Sequence, residues 1–525
     1  MIIDFRTTTE SAGLDADICI VGAGAAGLAL AREVAGPLRV LVVEAGDRRP
    51  LRGVDDFLVG EAADFAFDGF VNGRRRAFGG ATRAWFGQCI RLDPIDFEKR
   101  DWVAHSGWPI AAADLDAFYD RAEAMLGIGK PVYDARIWRQ ENLDDGDFDN
   151  QEVTPKFTIY CPQPDFTKAF GHGFFQAHRD VTVLLNAAVV RIELDASGRT
   201  VNGLLVRSEG GREKRLRARA YVLCGGAIEN PRLLLASHDV QKQGIGNNHD
   251  LVGRFFQDHP SATTGVVATS RPRAVQEQFR KIRHRGLKVW PKLALTDAAQ
   301  RRGRLLNANA LMLYDYDIDS PLTRAKALVA ALQDRNPLAA VASGWRVLAH
   351  VPELAFRGAD LLATGRAPIF APSRVLLKSH VEQVPDPDSR VTLSPQRDRF
   401  GVPRSRVAWR MHAEEIATMR AITQAAGREF HRLSFGEMTL APWLDGGVEA
   451  SRQEVEDNYH HAGTTRMAAT PAEGVVDPDC RVFGIDNLHI AGGSVFPTSG
   501  YANPTLTIVA MAIRLADKLR QLVPG

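Results

Sequence analysis

The feature that most constrains this chain lies within its first fifty residues. Asp17-Ile18-Cys19-Ile20-Val21 is an apolar run of strand length, Gly22-x-Gly24-x-x-Gly27 follows it, and Arg39–Val43 is a second apolar run ending at Glu44. Between them, Leu28, Leu30 and Val34 help supply the apolar side of a helix that starts near Ala25. Strand, glycine turn, helix and strand in that order make a βαβ unit, so the two strands belong to a parallel sheet. Each glycine has a task. Gly22 permits a tight turn, Gly24 lets backbone approach a pyrophosphate, and Gly27 lets the helix pack against the strands. The unpaired N–H groups near Ala25 and Ala26, at the helix N-terminus, favour phosphate charge. Glu44, 17 residues beyond Gly27 and followed by Ala45, is placed to hydrogen-bond an adenosine ribose. The loop specifies an ADP-containing dinucleotide and leaves FAD and NAD open.

The segment after Glu44 favours the flavin. Residues 51–77 read as mixed loop rather than further short crossovers, and they lead into Phe78-Gly79-Gly80-Ala81-Thr82-Arg83-Ala84-Trp85. A glycine pair followed by small and hydroxyl residues fits backbone lying against a flat ring, with a plain glycine turn as the alternative. Short β-branched runs return at Val181–Leu185, Val189–Ile192 and Val201–Val206. Ala220–Leu223 then reads as a buried strand ending in Gly225-Gly226, with a helix over Pro231–Ser237.

At 525 residues the chain predicts two or three domains. A formal charge of +2 implies neither nucleic acid nor a membrane surface. Five scattered cysteines without a CxxC argue against a disulfide framework or zinc site and for a reducing compartment. The polar start lacks a secretory signal, and no run approaches the ~20 apolar residues of a membrane span, so the expectation is a cytoplasmic protein. Arg271–Arg304 is strongly basic. It could attract an anionic substrate, acidic carrier or redox partner, although such runs are usually solvated faces paired to acids elsewhere. Ala325–Ala363 reads as helices broken at Pro337 and Pro352, packed in preference to lying on a membrane surface.

The carboxy-terminal part carries the chemistry. Asn458-Tyr459-His460-His461-Ala462-Gly463-Thr464 is followed by Leu488–Ala491, a strand entering Gly492-Gly493-Ser494, and then by Ser499-Gly500-Tyr501-Ala502-Asn503-Pro504-Thr505. Alcohol oxidation needs a base for the O–H proton, an acceptor for the C–H hydride and a group that fixes the oxygen. His460 is the candidate base, with His461 the one-place alternative, and Asn503 the amide that holds the oxygen. Asn503 could also cap the helix that Pro504-Thr505 begins. That helix, Leu506–Leu519, would offer its N–H groups to negative charge on reduced flavin.

In this order the motifs resemble a glucose–methanol–choline oxidoreductase over nearly the whole chain. They include Gly226-Ala227-Ile228-Glu229-Asn230-Pro231-Arg232 and Gly253-Arg254-Phe255-Phe256-Gln257-Asp258-His259. Gly463-Thr464-Thr465-Arg466-Met467 and Ala502–Thr505 resemble most the bacterial branch related to pyranose oxidases and aminoglycoside-type sugar alcohol dehydrogenases. The resemblance implies an α/β fold: a Rossmann-like FAD-binding domain with a parallel sheet, plus an α+β substrate domain on an antiparallel sheet. Residues 1–100, 181–265 and 451–525 are assigned to the first, and 101–180 and 266–450 to a connector and the second. It implies catalysis by His460 and Asn503. The cofactor residues are Gly22, Gly24, Ala25, Ala26, Gly27, Glu44, Ala45, Gly79, Gly80, Thr82, Trp85, Val189, Gly226, Gly492, Gly493, Asn503, Pro504 and Thr505, with no metal. Asp258 and His259 are expected to support a loop near the flavin. Fungal pyranose oxidases tether flavin through a histidine just before the Trp of the Gly-Gly segment; Ala84 stands there here, so noncovalent FAD is expected. A second departure is Asn230, where the family signature usually has Ser. The expected substrate is a small sugar-like alcohol, and the acceptor is oxygen or a carrier. An oxidoreductase acting on non-sugar alcohols, a redox-silent lyase and a flavin subunit of a partner-dependent complex are the rival readings.

Overall fold

A computed structural model describes residues 1–7, 14–51, 53–334, 336–348 and 350–523. Its centre is a six-stranded, all-parallel sheet in the order Ile2–Asp4, Val181–Leu185, Val40–Val43, Ala16–Val21, Ala218–Leu223, Leu488–Ile490. Parallel neighbours cannot be joined by a tight turn, so the sheet gathers strands from both ends and the middle of the chain. Its inner strands are apolar on both faces because both are covered. Helix Ala25–Val34 packs beside helix Thr505–Leu522, whose Leu506, Val509, Ile513 and Leu519 are buried. The first strand, Ile2–Asp4, falls in the stretch that sequence reading treated only as a polar start.

The second sheet has eight strands and is antiparallel. Its main path runs Glu437–Leu440, Ser261–Ala268, Arg374–Val381, Ala308–Asp315, Leu287–Leu295, Val153–Tyr160, Gln88–Cys89. Helix Ala413–Arg432 covers one face, where the Thr423 hydroxyl donates to Thr264 Oγ1 at 2.7 Å. Gln88–Cys89 and Ser261–Ala268 belong to this sheet, although the sequence division placed the first strand and residues 261–265 of the second in FAD-binding segments. Strand pairing partners lie far away in sequence, so the change of sheet leaves no local mark. Arg390–Arg397 and Pro403–Ala408 form a hairpin with Glu61–Ala62, apart from the large sheet.

Two sequence readings need correction. The helix expected at Pro231–Ser237 runs Gly226–Ala236, with Pro231 inside it. Pro231 has no N–H for the Ala227 carbonyl, and the Thr464 hydroxyl takes that acceptor at 2.7 Å. Helices Pro321–Gln333, Pro337–Leu348 and Val351–Thr364 are broken at the expected prolines and the first packs against the second, burying Ala331, but their packing is shallow. The last two bury none of their residues, and Leu338, Val341, Trp345 and Leu348 leave one helix face exposed. No helix among the described residues is long and apolar enough to cross a membrane.

Candidate active site

The glycine loop follows strand Ala16–Val21, and its three glycines differ physically. Gly22 has φ +102°, and a Cβ there would lie 2.8 Å from the Cys224 carbonyl oxygen. A Cβ on Gly27 would lie 2.0 Å from the Gly22 oxygen, so helix and loop meet backbone to backbone. A Cβ on Gly24 would meet nothing within 4 Å. The same holds for Gly226 and for Gly492, which has φ +130°. Gly24, Gly226 and Gly492 thus edge open space at the ends of three neighbouring strands, as a cofactor cradle requires.

Several other expected cofactor residues lie on segments bonded to this loop. Gly79 N donates to the Ala23 carbonyl at 2.9 Å, which docks the Gly79-Gly80 turn on the loop. The Thr82 hydroxyl closes that turn onto the Gly79 carbonyl at 2.6 Å, and Trp85 Nε1 donates to the Pro164 carbonyl at 2.7 Å. Glu44 is buried, and its carboxylate accepts from Ala23 N and Gly46 N, both at 2.9 Å. Burial pushes its pKa up to about 7, against those two hydrogen bonds. Both oxygens are therefore engaged in shaping the loop, with lone pairs left for a ribose. The Ala45 carbonyl accepts from Arg76, and Val189 is the second residue of strand Ala188–Leu194, which follows Ala187, whose N–H donates to the Glu44 carbonyl at 3.0 Å. Asn230 links two motifs: its Oδ1 accepts Gly225 N at 2.8 Å and its Nδ2 donates to Ser494 at 3.0 Å. Helices Ala25–Val34 and Thr505–Leu522 both lack a side-chain cap, which leaves their first N–H groups free for an anionic ligand.

His460 and Asn503, 43 residues apart, meet: Asn503 Nδ2 lies 3.2 Å from His460 Nε2. The helix beginning at Thr505 is capped by Pro504, so Asn503 spends its amide on the histidine. The other ring nitrogen, His460 Nδ1, lies 2.9 Å from His259 Nδ1. Asp258, fully buried, accepts backbone N–H bonds from His259 at 2.6 Å, His460 at 3.0 Å and Asn458 at 3.3 Å. It clamps the histidine loop, in which Tyr459 takes a left-handed φ of +61°. Burial foremost, then His259, His380 and Lys292, holds His460 well below the usual imidazole pKa. His460 is consequently neutral at physiological pH and able to accept a proton. His461, the alternative base, packs against Phe67 and Phe256 with Nε2 3.6 Å from Asp258, away from Asn503.

Similarity to known proteins extends over most of the chain. Two family models described as GMC oxidoreductase match residues 174–261 and 385–512. The chain is 25% identical to 6'''-hydroxyparomomycin C oxidase of Streptomyces lividus, over 95% of this chain and 90% of that one. It belongs to the GMC oxidoreductase family. Choline oxidase of Arthrobacter globiformis is likewise 25% identical, over 97% of this GMC oxidoreductase and 95% of that protein. The large subunit of fructose dehydrogenase from Gluconobacter japonicus is 22% identical, over 96% and 98%. Among solved structures, a formate oxidase of Aspergillus oryzae, characterised for FAD modification, shares the fold at TM-score 0.57 and 17% identity, over 97% and 99% of the chains. Pyridoxine 4-oxidase does so at 0.56 and 19%, over 96% and 98%.

Sequence reading set aside one residue that touches the centre, His259, because a buried His beside an Asp is more often structural. It missed Lys292 and His380 altogether. Both sit on strands of the antiparallel sheet, and only strand register turns them inward.

Proposed function

We propose that this GMC oxidoreductase oxidises a hydroxyl of a polar, sugar-like alcohol with noncovalently held FAD. The observation that carries the reading is the His460–Asn503 pair, 3.2 Å apart, at the edge of a glycine-lined space. A bound FAD supplies the hydride acceptor. Neutral His460 takes the hydroxyl proton, and the Asn503 amide holds the oxygen, while the Asp258 clamp keeps the imidazole in place. Positioning of this kind contributes several kcal/mol of the barrier reduction. The glycine loop and the uncapped helix N-termini bind the cofactor's phosphates and receive charge near Pro504 and Thr505. Ala84 offers no nucleophile for a covalent link to the flavin. The relatives that act on aminoglycoside and sugar alcohols support the substrate class. Five buried free thiols support a cytoplasmic location.

The test is anaerobic. Purified holoprotein mixed with polyols, sugars and simple alcohols should lose its flavin absorbance with one class, and admitting air then separates oxygen from another acceptor. A flavin that dithionite reduces but no alcohol bleaches would overturn the reading in favour of a lyase or a partner-dependent subunit. Acid precipitation should release all the yellow cofactor; flavin left on the pellet would refute noncovalent attachment.

A further inference from the structure

One face of the antiparallel sheet is packed on helix Ala413–Arg432, and the other looks toward His460. Strand register puts Lys156 opposite Lys292, and it aligns Ala294, Asn309 and His380 on the same face as Lys292. Lys288, Trp290 and Lys292 alternate along one strand and so share that face. Lys378 lies on it too, and Lys281 joins from just before strand Ile282–His284. Two of these five lysines are neutralised: Lys156 by Asp93 at 2.9 Å and Lys378 by Glu456 at 2.6 Å. The remaining three have no acidic partner among the described residues.

These three form a ladder from solvent inward. Lys288 is exposed, with Nζ 4.1 Å from the Tyr160 ring centroid. Lys281 is half-buried, and its Nζ lies 4.0 Å over Trp290. Lys292 is 5% exposed, with Nζ 5.7 Å from the same Trp290 ring and no hydrogen-bond acceptor. Aromatic faces attract an ammonium, but they recover only part of the cost of burying one. Burial and the Lys281 charge push Lys292 down to about 8, which leaves it mostly protonated at neutral pH. Its charge is felt by His460, His259 and His380 alike, so it stands beside the catalytic pair. The neighbouring arginines of the basic segment behave differently: Arg301 pairs with Glu98, Arg304 with Asp101 and Arg280 with Glu277. Arg271, Arg273, Arg283, Arg285 and Arg302 have no acidic partner among the described residues either, but all five are exposed; Lys281 and Lys292 carry the uncompensated charge that is drawn away from solvent.

We infer that Lys292, with Lys281 and Lys288 outside it, forms an anion subsite that receives a carboxylate or phosphate group carried by the alcohol substrate. The inference rests on the proposed alcohol oxidation and adds to it the class of substrate: an acidic polyol or sugar phosphate. The same charges repel an ammonium-bearing alcohol such as choline.

The test titrates holoprotein calorimetrically with inorganic phosphate, acetate and choline chloride. Wild type should bind phosphate or acetate, the tighter of the two naming the oxyanion, and should give no binding heat with choline. Lys292→Met should weaken that binding at least about tenfold, the scale of losing a charged hydrogen bond, and Lys292→Arg should restore most of it. Binding that is absent from wild type, or unchanged in Lys292→Met, overturns the subsite. Should Lys292→Met fold poorly, the paired outer substitutions Lys281→Ala and Lys288→Ala should still weaken binding roughly threefold, and unchanged binding there is equally fatal. Bleaching of the flavin by neutral polyols, equally fast in Lys292→Met, would overturn the subsite and leave alcohol oxidation standing. Lys292-dependent phosphate binding in a protein that no alcohol reduces would overturn the oxidation and keep the anion site.

Discussion

Two alanine substitutions in the same loop should have opposite effects, because one glycine makes room for the fold and the other for the cofactor. At Gly27 the added Cβ would stand 2.0 Å from the Gly22 oxygen, more than an ångström inside van der Waals contact, and the obstacle is backbone. Overpacking costs ~1–3 kcal/mol. The helix preference for Ala over Gly returns about 1 kcal/mol of that. A backbone clash this close belongs at the upper end of the overpacking range, about 3 kcal/mol, so the net loss is roughly 2 kcal/mol, which lowers Tm by about 4–8 °C in domains of this size. At Gly24 the Cβ meets nothing within 4 Å, and φ −85°, ψ −160° is extended backbone open to any residue. Gly24→Ala should therefore leave the apoprotein within about 0.5 kcal/mol of wild type, the scale of a substitution that touches nothing. It should weaken FAD at least about tenfold, near 1.4 kcal/mol, by filling the pyrophosphate's approach. Calorimetry of the apoproteins and FAD titration by flavin fluorescence measure both quantities. Normal FAD affinity in Gly24→Ala, or an equal fall in apoprotein Tm for the two variants, would refute the division of roles.

His460→Ala should keep FAD and its Tm but slow anaerobic flavin reduction at least a hundredfold, the usual scale for a general base; near-normal reduction in stopped-flow removes His460 from the base role. The acid limb of kcat/KM should have its midpoint below 6.5, the unperturbed imidazole value, because burial depresses the pKa of His460; a midpoint at or above 6.5 contradicts this. His461, pushed down to about 3, stabilises the fold fully above the unfolded value near 6.5, and that contribution is lost progressively as pH falls from there. His461→Gln should thus remove up to one proton, about 1.4 kcal/mol per pH unit, from the slope of unfolding free energy between pH 4 and 6; an unchanged slope in denaturant titrations would show that His461 is not held neutral. Arg100 and Glu382 form a fully buried pair at 2.6 Å, and Glu382 also accepts Asn307 N at 3.0 Å. Arg100→Met should cost ~3–5 kcal/mol by stranding that carboxylate, and adding Glu382→Met should recover much of it; additive losses in chemical denaturation would count against the pair.

The sequence by itself determined the parts whose physics is local. A glycine loop between two apolar runs can make only a few structures, so the βαβ unit, the roles of Gly22 and Gly27, and the helix after Pro504 were all legible before any coordinates. The helix breaks at Pro337 and Pro352 were legible for the same reason, since proline removes a donor within one turn. Tertiary structure decided whatever depends on which distant segments meet. It placed Asn503 on His460, turned Asp258 into a clamp and gave Pro231 a place inside a helix through Thr464. It put Gln88–Cys89 and residues 261–265 into the antiparallel sheet and left the Leu338–Leu348 stripe exposed. It also turned Lys292 inward without an acid beside it, because the partner of a side chain is set by strand register across the whole chain, and a run of residues along one strand does not encode what lies opposite.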